Sequence, residues 1–210
     1  MNRSILLILP AMLVAGSSII HADTIGPDCA TCDGAAYTLT YSGSPISSTS
    51  TTQTFQITLD VNDASYIYSG AFLNAVAIKV AAPSDILSTS LVSAPTGFSL
   101  APGYGLNANG CAANGSGFIC AQASGNGAPV AGSPYDFIFD VEVNNGTLLT
   151  GTDAASVKAL YVNSDGNKVG SLLSEDITLQ DDAVPEPSSI MLLGCGLLGT
   201  ALFLRKKVRA

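Results

Sequence analysis

The chain has 210 residues, of which eight are Lys or Arg and 16 are Asp or Glu, so its formal net charge is −8. Five of the basic residues lie at the two ends, so residues 23–184 hold only three lysines against 15 acidic residues, a net charge of −12. Such an acidic segment repels phosphate backbones and releases no counterions on meeting them, which argues against nucleic acid as a partner.

The first 22 residues predict a secretory signal peptide, so signal peptidase is an expected partner. Arg3 supplies a short positive region, "ILLILPAMLVAG" an apolar stretch, and "IIHA" a small residue after which cleavage can occur, at Ala22. The alternative is a buried N-terminal helix. Cleavage removes His21, the only histidine, and leaves residues 23–183 as one exported domain with enough length for a hydrophobic core.

The composition of this domain excludes several kinds of enzyme. Residues 23–183 contain no His, Arg or Trp. Ser-His-Asp and Cys-His mechanisms need histidine, and so does zinc held by imidazole. A carboxylate pair of the glycosidase type or a Ser-Lys dyad remains possible in principle. Because 15 acidic residues make some close pair inevitable, the proximity of two carboxylates alone would not indicate a glycosidase. We expect no enzyme and no cofactor.

Two close pairs of cysteines predict two local disulfides. Cys29 and Cys32 lie in "DCATCDG", and Cys111 and Cys120 lie in "GCAANGSGFIC". Short loops close at the least entropic cost, and exported proteins meet an oxidising environment. A redox role for "CATC" would need a helix beginning at Cys29, whereas the residues that follow favour a strand. A four-thiolate zinc site is the other alternative, but the second pair is too widely spaced for a zinc knuckle.

Apolar residues at every second position predict an all-β domain. The pattern occurs in "TFQITLDV", "AVAIKV" and "DFIFDVEV", and in the last segment Asp136, Asp140 and Glu142 are predicted to face solvent. Asn145-Gly146 and Asp165-Gly166 suit tight turns, which predicts hairpins at 135–150 and 157–179. With no long helical period, the strand spacing predicts a β-sandwich or jelly roll.

Two segments interrupt this pattern and are predicted to be surface loops. Residues 42–54 are rich in Ser and Thr, and residues 93–134 are rich in Gly, Asn and Pro. Long irregular loops often carry binding sites. A carbohydrate-binding role would use tyrosines that stack on sugars, and the candidates are Tyr37, Tyr41, Tyr66, Tyr68 and Tyr104.

Two short segments of the chain make calcium a second candidate ligand. "DVNDAS" at 60–65 and "NSDGNK" at 163–168 place oxygen ligands in turns, as hard cations prefer. Neither segment has the EF-hand spacing, and hairpin turns explain both. We therefore predict no specific metal site.

The C-terminal segment 184–210 combines three features. Near its start, Pro185, Glu186 and Pro187 are expected to keep the backbone extended and accessible. Residues 188–204 carry no charge and would measure about 26 Å as a helix, the lower limit for a membrane span. A basic cluster follows, formed by Arg205, Lys206, Lys207 and Arg209. The positive-inside rule keeps this cluster in the cytoplasm and puts the acidic domain outside the inner membrane.

These features in this order resemble the PEP-CTERM sorting signal of Gram-negative bacteria that make extracellular polysaccharide. The resemblance implies handling by an exosortase, a membrane enzyme proposed to cut near the Pro-Glu-Pro motif. It also implies a structural role at the cell surface or in a biofilm or exopolysaccharide matrix. The rest of the chain more loosely resembles uncharacterised exported proteins of the same group, through "AFLNAVAIKV", "GLNANGC" and "SGFICA". A carbohydrate- or calcium-binding module anchored at the inner membrane is the alternative function.

Overall fold

The computed structural model of the chain describes residues 20–80, 84–101, 105–111, 117–147, 149 and 155–176. Residues 1–19 of the predicted signal peptide lie outside these ranges. So does the whole of the predicted transmembrane helix at 188–204. Within the described ranges, no helix is long and apolar enough to cross a membrane.

The described residues form antiparallel β-strands joined by turns, which confirms the all-β prediction. In chain order the strands are β1 (Ile20–Ile25), β2 (Ala36–Ser42), β3 (Ser47–Ser48), β4 (Thr52–Asn62), β5 (Phe72–Lys79), β6 (Ile86–Ser93), β7 (Phe98–Leu100), β8 (Leu106–Asn107), β9 (Gly110–Cys111), β10 (Phe118–Ala123), β11 (Ala128–Pro129), β12 (Tyr135–Asn144), β13 (Ser156–Val162) and β14 (Lys168–Asp176). One turn of 3-10 helix, Val130–Gly132, precedes β12.

The first sheet has the strand order β1-β2-β4-β12-β6, with the short β3 also paired to β4. Its two central strands, β4 and β12, show the predicted alternation: every second side chain is buried, and Leu59 lies opposite Phe137. Apart from Ile138, the intervening positions inside these two strands carry polar side chains on the outer face, where the amide of Gln56 donates to Asp140 Oδ1 at 3.1 Å. Period-two patterning therefore determines which face of this sheet joins the core.

The second sheet has the order β14-β13-β5-β10-β7, with β11 beside β5. One hydrophobic cluster contains buried residues of both sheets, including Leu39 and Ile57 from the first and Leu73, Val76 and Ile78 from the second. The main core therefore joins the two sheets.

Strand β5 departs from the expectation of a half-buried strand, because both of its faces are buried. Val76 and Ile78 belong to the main core, while Ala75 and Ala77 belong to a second cluster on the other face. Leu106 of the β8–β9 pair is a buried member of that cluster, which shows that this small hairpin covers part of the outer face.

One of the two predicted hairpins is present. Strands β13 and β14 pair across the turn at 163–167, where Gly166 has a φ of +80°. The hairpin predicted at 135–150 is wrong. A turn does occur there, with Thr147 N donating to Asn144 O at 3.0 Å, but β12 pairs with β4 along one edge and with β6 along the other. No edge of β12 is left for a partner that follows the turn.

Candidate functional site

The N-terminal disulfide closes a turn at the entrance to the domain. Cys29 and Cys32 are bonded, with their Cα atoms 5.1 Å apart, as predicted. Cys32 N donates to Cys29 O and Ala35 N donates to Cys32 O, so turns follow Cys29, and β2 begins at Ala36. Cys32 is fully buried. The helix that a thioredoxin-like site requires after its first cysteine is therefore replaced by a turn and a strand.

The second disulfide holds the β8–β9 hairpin on the second sheet. It joins Cys111 of β9 to Cys120 of β10, with 5.9 Å between the Cα atoms, and it also confirms the predicted pairing. Gln122 supports the same contact, since its Oε1 accepts a hydrogen bond from Cys111 N at 2.9 Å. The bridge thus fixes a covering element over Ala75 and Ala77.

Replacing Cys111 and Cys120 together by alanine should lower the free energy of unfolding by about 2.7 kcal/mol, the chain-entropy value for a ten-residue loop. The matched double variant replaces Cys29 and Cys32 by alanine. Because the disulfide that it removes closes a shorter loop, the free energy of unfolding should fall by only about 1.9 kcal/mol. Urea denaturation of both variants beside the oxidised wild type measures the two losses. Equal losses, or a larger loss for the Cys29 and Cys32 variant, would contradict the prediction that the disulfide closing the longer loop stabilises the domain more.

A buried carboxyl group lies immediately after β4. Asp63 has no solvent exposure, and neither of its carboxylate oxygens has a hydrogen-bond partner among the described residues. Its backbone is well fixed, since Asp63 N donates to Ser133 Oγ at 2.7 Å and Ser133 Oγ donates to Val61 O at 3.2 Å. The chain therefore holds the carboxyl group in the interior although nothing described there pairs with it.

Three buried tyrosines lie near enough to this carboxyl group for its charge to act on their hydroxyls. The hydroxyls of Tyr37 and Tyr161 are 2.9 Å apart, and the ring of Tyr66 stacks on that of Tyr161 with 4.0 Å between centroids. Burial raises the pKa of Asp63 to about 6, and the nearby Ser133 and Tyr161 hydroxyls oppose that rise only in part. Burial likewise raises the pKa of Tyr37 and of Tyr161, so both stay protonated at neutral pH.

Most of the tyrosines proposed as sugar platforms are not available for stacking. Tyr37, Tyr41 and Tyr66 are buried in the core, which makes that proposal wrong for these three. Tyr68 is 42 % exposed, and Tyr104 lies outside the described residues. The sequence could not show which of these tyrosines are buried, because tyrosine is favoured in strands whether its side chain faces the core or the solvent.

Four acidic residues of β4 and β12 lie on the outer face of the first sheet: Asp60, Asp136, Asp140 and Glu142. Asp60 and Asp136 are direct cross-strand partners, and burial together with the charge of Asp136 raises the pKa of Asp60. Glu142 Oε2 accepts a hydrogen bond from Ser88 at 2.8 Å. Across the described ranges, no group of three or more His, Cys, Asp or Glu could hold a metal ion.

The segment 163–168, considered above for calcium, is organised by a turn. Asn163 Oδ1 accepts hydrogen bonds from the backbone N–H groups of Asp165 and Asn167, at 3.0 and 2.9 Å. The side-chain oxygen of Asn163 is thereby engaged in the hairpin itself, which is the ordinary role of Asn in such turns.

A cleft of about 510 Å³ opens on the outer face of the second sheet, between the β8–β9 hairpin and the β13–β14 turn. Its polar lining consists of four side-chain amides and one ammonium group, from Asn74, Asn109, Gln122, Asn167 and Lys168. None of the described residues that line it is a carboxylate. In a domain this acidic, the described lining of the cleft is unusual in carrying an ammonium group and no carboxylate.

The floor of the cleft is fixed by hydrogen bonds. Asn74 Nδ2 donates to Gly125 O at 2.7 Å and to Asn126 O at 3.3 Å, and Gln122 Nε2 lies 3.5 Å from Asn74 Oδ1. At the rim, Asn109 and Asn167 are exposed, and their backbone N–H groups, not their side-chain amides, donate to Asn107 Oδ1 and Asn163 Oδ1. This cleft was not among the predictions from the sequence, although an Asn inside the apolar run "FLNAVAIK" was a usable signal.

The described residues define an all-β domain with two disulfides. Residues 183–207 match the family model of the PEP-CTERM protein-sorting motif. The chain therefore carries this motif, which confirms the resemblance found in the sequence and identifies an exported protein that is targeted to exosortase and sorted through the membrane. The matched region includes Pro185, Glu186 and Pro187 and ends at Lys207, before Arg209. No curated protein matches the chain.

The structure does not describe the residues of the sorting motif. Pro185, Glu186, Pro187 and the basic cluster all lie outside the described residues. At the other end, the predicted cleavage after Ala22 falls within β1, and it would leave Asp23–Ile25 to pair with Tyr37–Leu39 of β2.

Proposed function

We propose that this chain is a non-enzymatic structural protein of the cell surface or extracellular matrix of a Gram-negative bacterium. It is made as an inner-membrane precursor with a β-sandwich ectodomain, and exosortase then releases it to the surface. The observation that carries this proposal is the PEP-CTERM motif at residues 183–207, which follows a disulfide-bonded all-β domain. A sandwich accounts for the main core, because residues of both sheets share it.

The charge distribution supports a matrix role. The outer face of the first sheet presents Asp60, Asp136, Asp140 and Glu142, which keep that face hydrated and discourage sheet-to-sheet aggregation. Such a face can also attract divalent cations loosely, and through them the anionic polymers of a matrix. This is a structural use of charge and needs no defined metal site.

A non-enzymatic role is supported by the surroundings of the acidic residues. Asp60 and Asp136 lie on strands at the outer face of the first sheet, whereas the cleft described above opens on the second sheet and has no carboxylate in its described lining. A glycosidase would need its two carboxyl groups on either side of a bound sugar.

Fractionation of a native biofilm tests the proposed function. The protein should be recovered with the polysaccharide matrix, and deleting its gene should weaken the matrix while leaving polysaccharide chain length unchanged. If the purified protein instead shortens the polysaccharide, measured as new reducing ends, an enzyme replaces the structural protein. Recovery only in the periplasm or inner membrane would contradict a matrix role.

The alternative is a carbohydrate-binding module, and the amide-lined cleft is the observation that favours it. Side-chain amides both donate and accept hydrogen bonds, which suits the hydroxyl groups of sugars. Among the residues that the structure describes, no comparable feature favours a calcium-binding module.

A further inference from the structure

The lysines of the domain all lie on one face. Lys79, Lys158 and Lys168 are the only lysines between residues 4 and 204. Strand alternation puts Lys79 on the same side of β5 as Ala75 and Ala77, which belong to the outer cluster of the second sheet. Lys158 lies opposite Ala77 in the pairing of β13 with β5, so it shares that face.

Lys168 completes a row of cations on this face. It pairs with Val162 of β13, another member of the outer cluster, and it lines the cleft. Val162 and Lys158 are separated by four residues of strand, about 13 Å. Lys79 lies opposite Ser156, two residues further along β13. The three ammonium groups therefore follow the outer face from the cleft toward the other end of β13.

Contacts on this face hold one of the cations in place. The Nζ atom of Lys158 lies 4.4 Å from the centroid of the Phe118 ring, a cation–π arrangement. Two carboxylates lie at the margins, Asp165 in the turn and Asp176 opposite Ser156 at the end of β14. The centre of the face, from Lys158 to the cleft, carries positive charge and amides.

This arrangement contrasts with the other sheet. The first sheet presents four carboxylates on its outer face, and the second presents all three lysines. A net charge of −12 over residues 23–184 would repel an anionic polymer from most of the surface, so the second sheet is the face on which such a polymer can dock directly, without a bridging cation.

We infer that the outer face of the second sheet binds an acidic polysaccharide. One sugar unit occupies the cleft, where its hydroxyl groups bond to the side-chain amides of Asn109 and Asn167. The carboxylates of successive units lie near Lys168 and Lys158. This inference rests on the proposed matrix function and supplies its ligand class, a uronate-containing glycan.

Calorimetry with the exported protein purified from the producing cells tests the inference, using three probes. Oligogalacturonate has both hydroxyls and carboxylates, maltohexaose is a neutral sugar, and polyacrylate is an anion without hydroxyls. Oligogalacturonate should bind saturably and more tightly than either of the others, and its affinity should fall as salt is added. Equal binding of polyacrylate would show simple charge attraction and would overturn a saccharide site.

Variants separate the two parts of the site. Asn109→Ala with Asn167→Ala should weaken oligogalacturonate binding about fivefold to tenfold while leaving polyacrylate unaffected, because only the sugar uses these hydrogen bonds. Lys158→Gln with Lys168→Gln should weaken both anionic probes. Ser93→Glu, exposed on β6 of the other sheet, adds negative charge elsewhere and should change neither by more than about twofold.

The outcomes distinguish the inference from the function on which it rests. If wild-type protein binds no oligogalacturonate but still fractionates with the matrix, the ligand assignment is wrong and the structural function stands. If the Lys158 and Lys168 variant binds oligogalacturonate as tightly as wild type, the assignment of the binding site to this face is wrong. Thermal denaturation of each variant verifies that a loss of binding is not a loss of folding.

Discussion

A chain in which Pro185, Glu186 and Pro187 are all replaced by alanine should remain in the inner membrane as a form larger than the wild-type surface protein. The apolar segment at 188–204 is short for a lasting anchor, and its three glycines each weaken a helix by about 1 kcal/mol relative to alanine. The Pro-Glu-Pro motif before it, whose prolines disfavour a helix, suits recognition and cleavage. The wild-type surface protein is therefore expected to end near residues 184–188 and to lack "RKKVRA".

C-terminal peptide sequencing of the surface fraction measures this directly. Deleting the exosortase should give the same retained form as the alanine variant. Asp181→Ala with Asp182→Ala, immediately before the matched region, is the control and should be processed normally. If surface-exposed protein still carries Arg205–Ala210, exosortase removal is wrong and a single-span anchor replaces it.

The second large effect concerns Asp63. Burial raises the pKa of its carboxyl group from 3.8 to about 6, so the folded protein holds a proton that the unfolded chain has already released. Stability should therefore fall as the pH rises from about 4 to about 6, and the loss should be complete above that window. The pKa difference corresponds to at most about 3 kcal/mol.

Asp63→Asn removes this titration while keeping the size of the side chain. The variant should be more stable than wild type at pH 7.5, by about 1 to 3 kcal/mol, and should lose the part of the slope between pH 4 and 6 that Asp63 causes. Urea denaturation at several pH values measures both effects. Asp165→Asn makes the same chemical change at an exposed turn and should leave the slope as it is in wild type.

The opposite result would also be informative. If Asp63→Asn is less stable than wild type at pH 7.5, the carboxylate is charged and paired in the folded protein, which contradicts the raised pKa. The hydroxyls of Ser133 and Tyr161 would then be the partners to test, since both act to lower the pKa of Asp63.

The sequence by itself determined the local features of this protein. Alternation in β4 and β12 predicted their buried faces correctly, because a strand has a period of two whatever it pairs with. Cys29 with Cys32 and Cys111 with Cys120 were predictable because short loops close easily. The sorting motif was also legible, since its proline, apolar and basic parts are contiguous along the chain.

Only the tertiary structure decided what depends on distant segments. The turn after β12 looked like a hairpin, but β4 and β6 occupy both edges of that strand. The Asp63 carboxyl group is buried, with no hydrogen-bond partner among the described residues, because elements far apart in sequence close around it. Asn74 lines a cleft because the β8–β9 hairpin folds over the second sheet. Which edges pair and which faces are covered are set by contacts between segments, and these leave no periodic signal in any one segment.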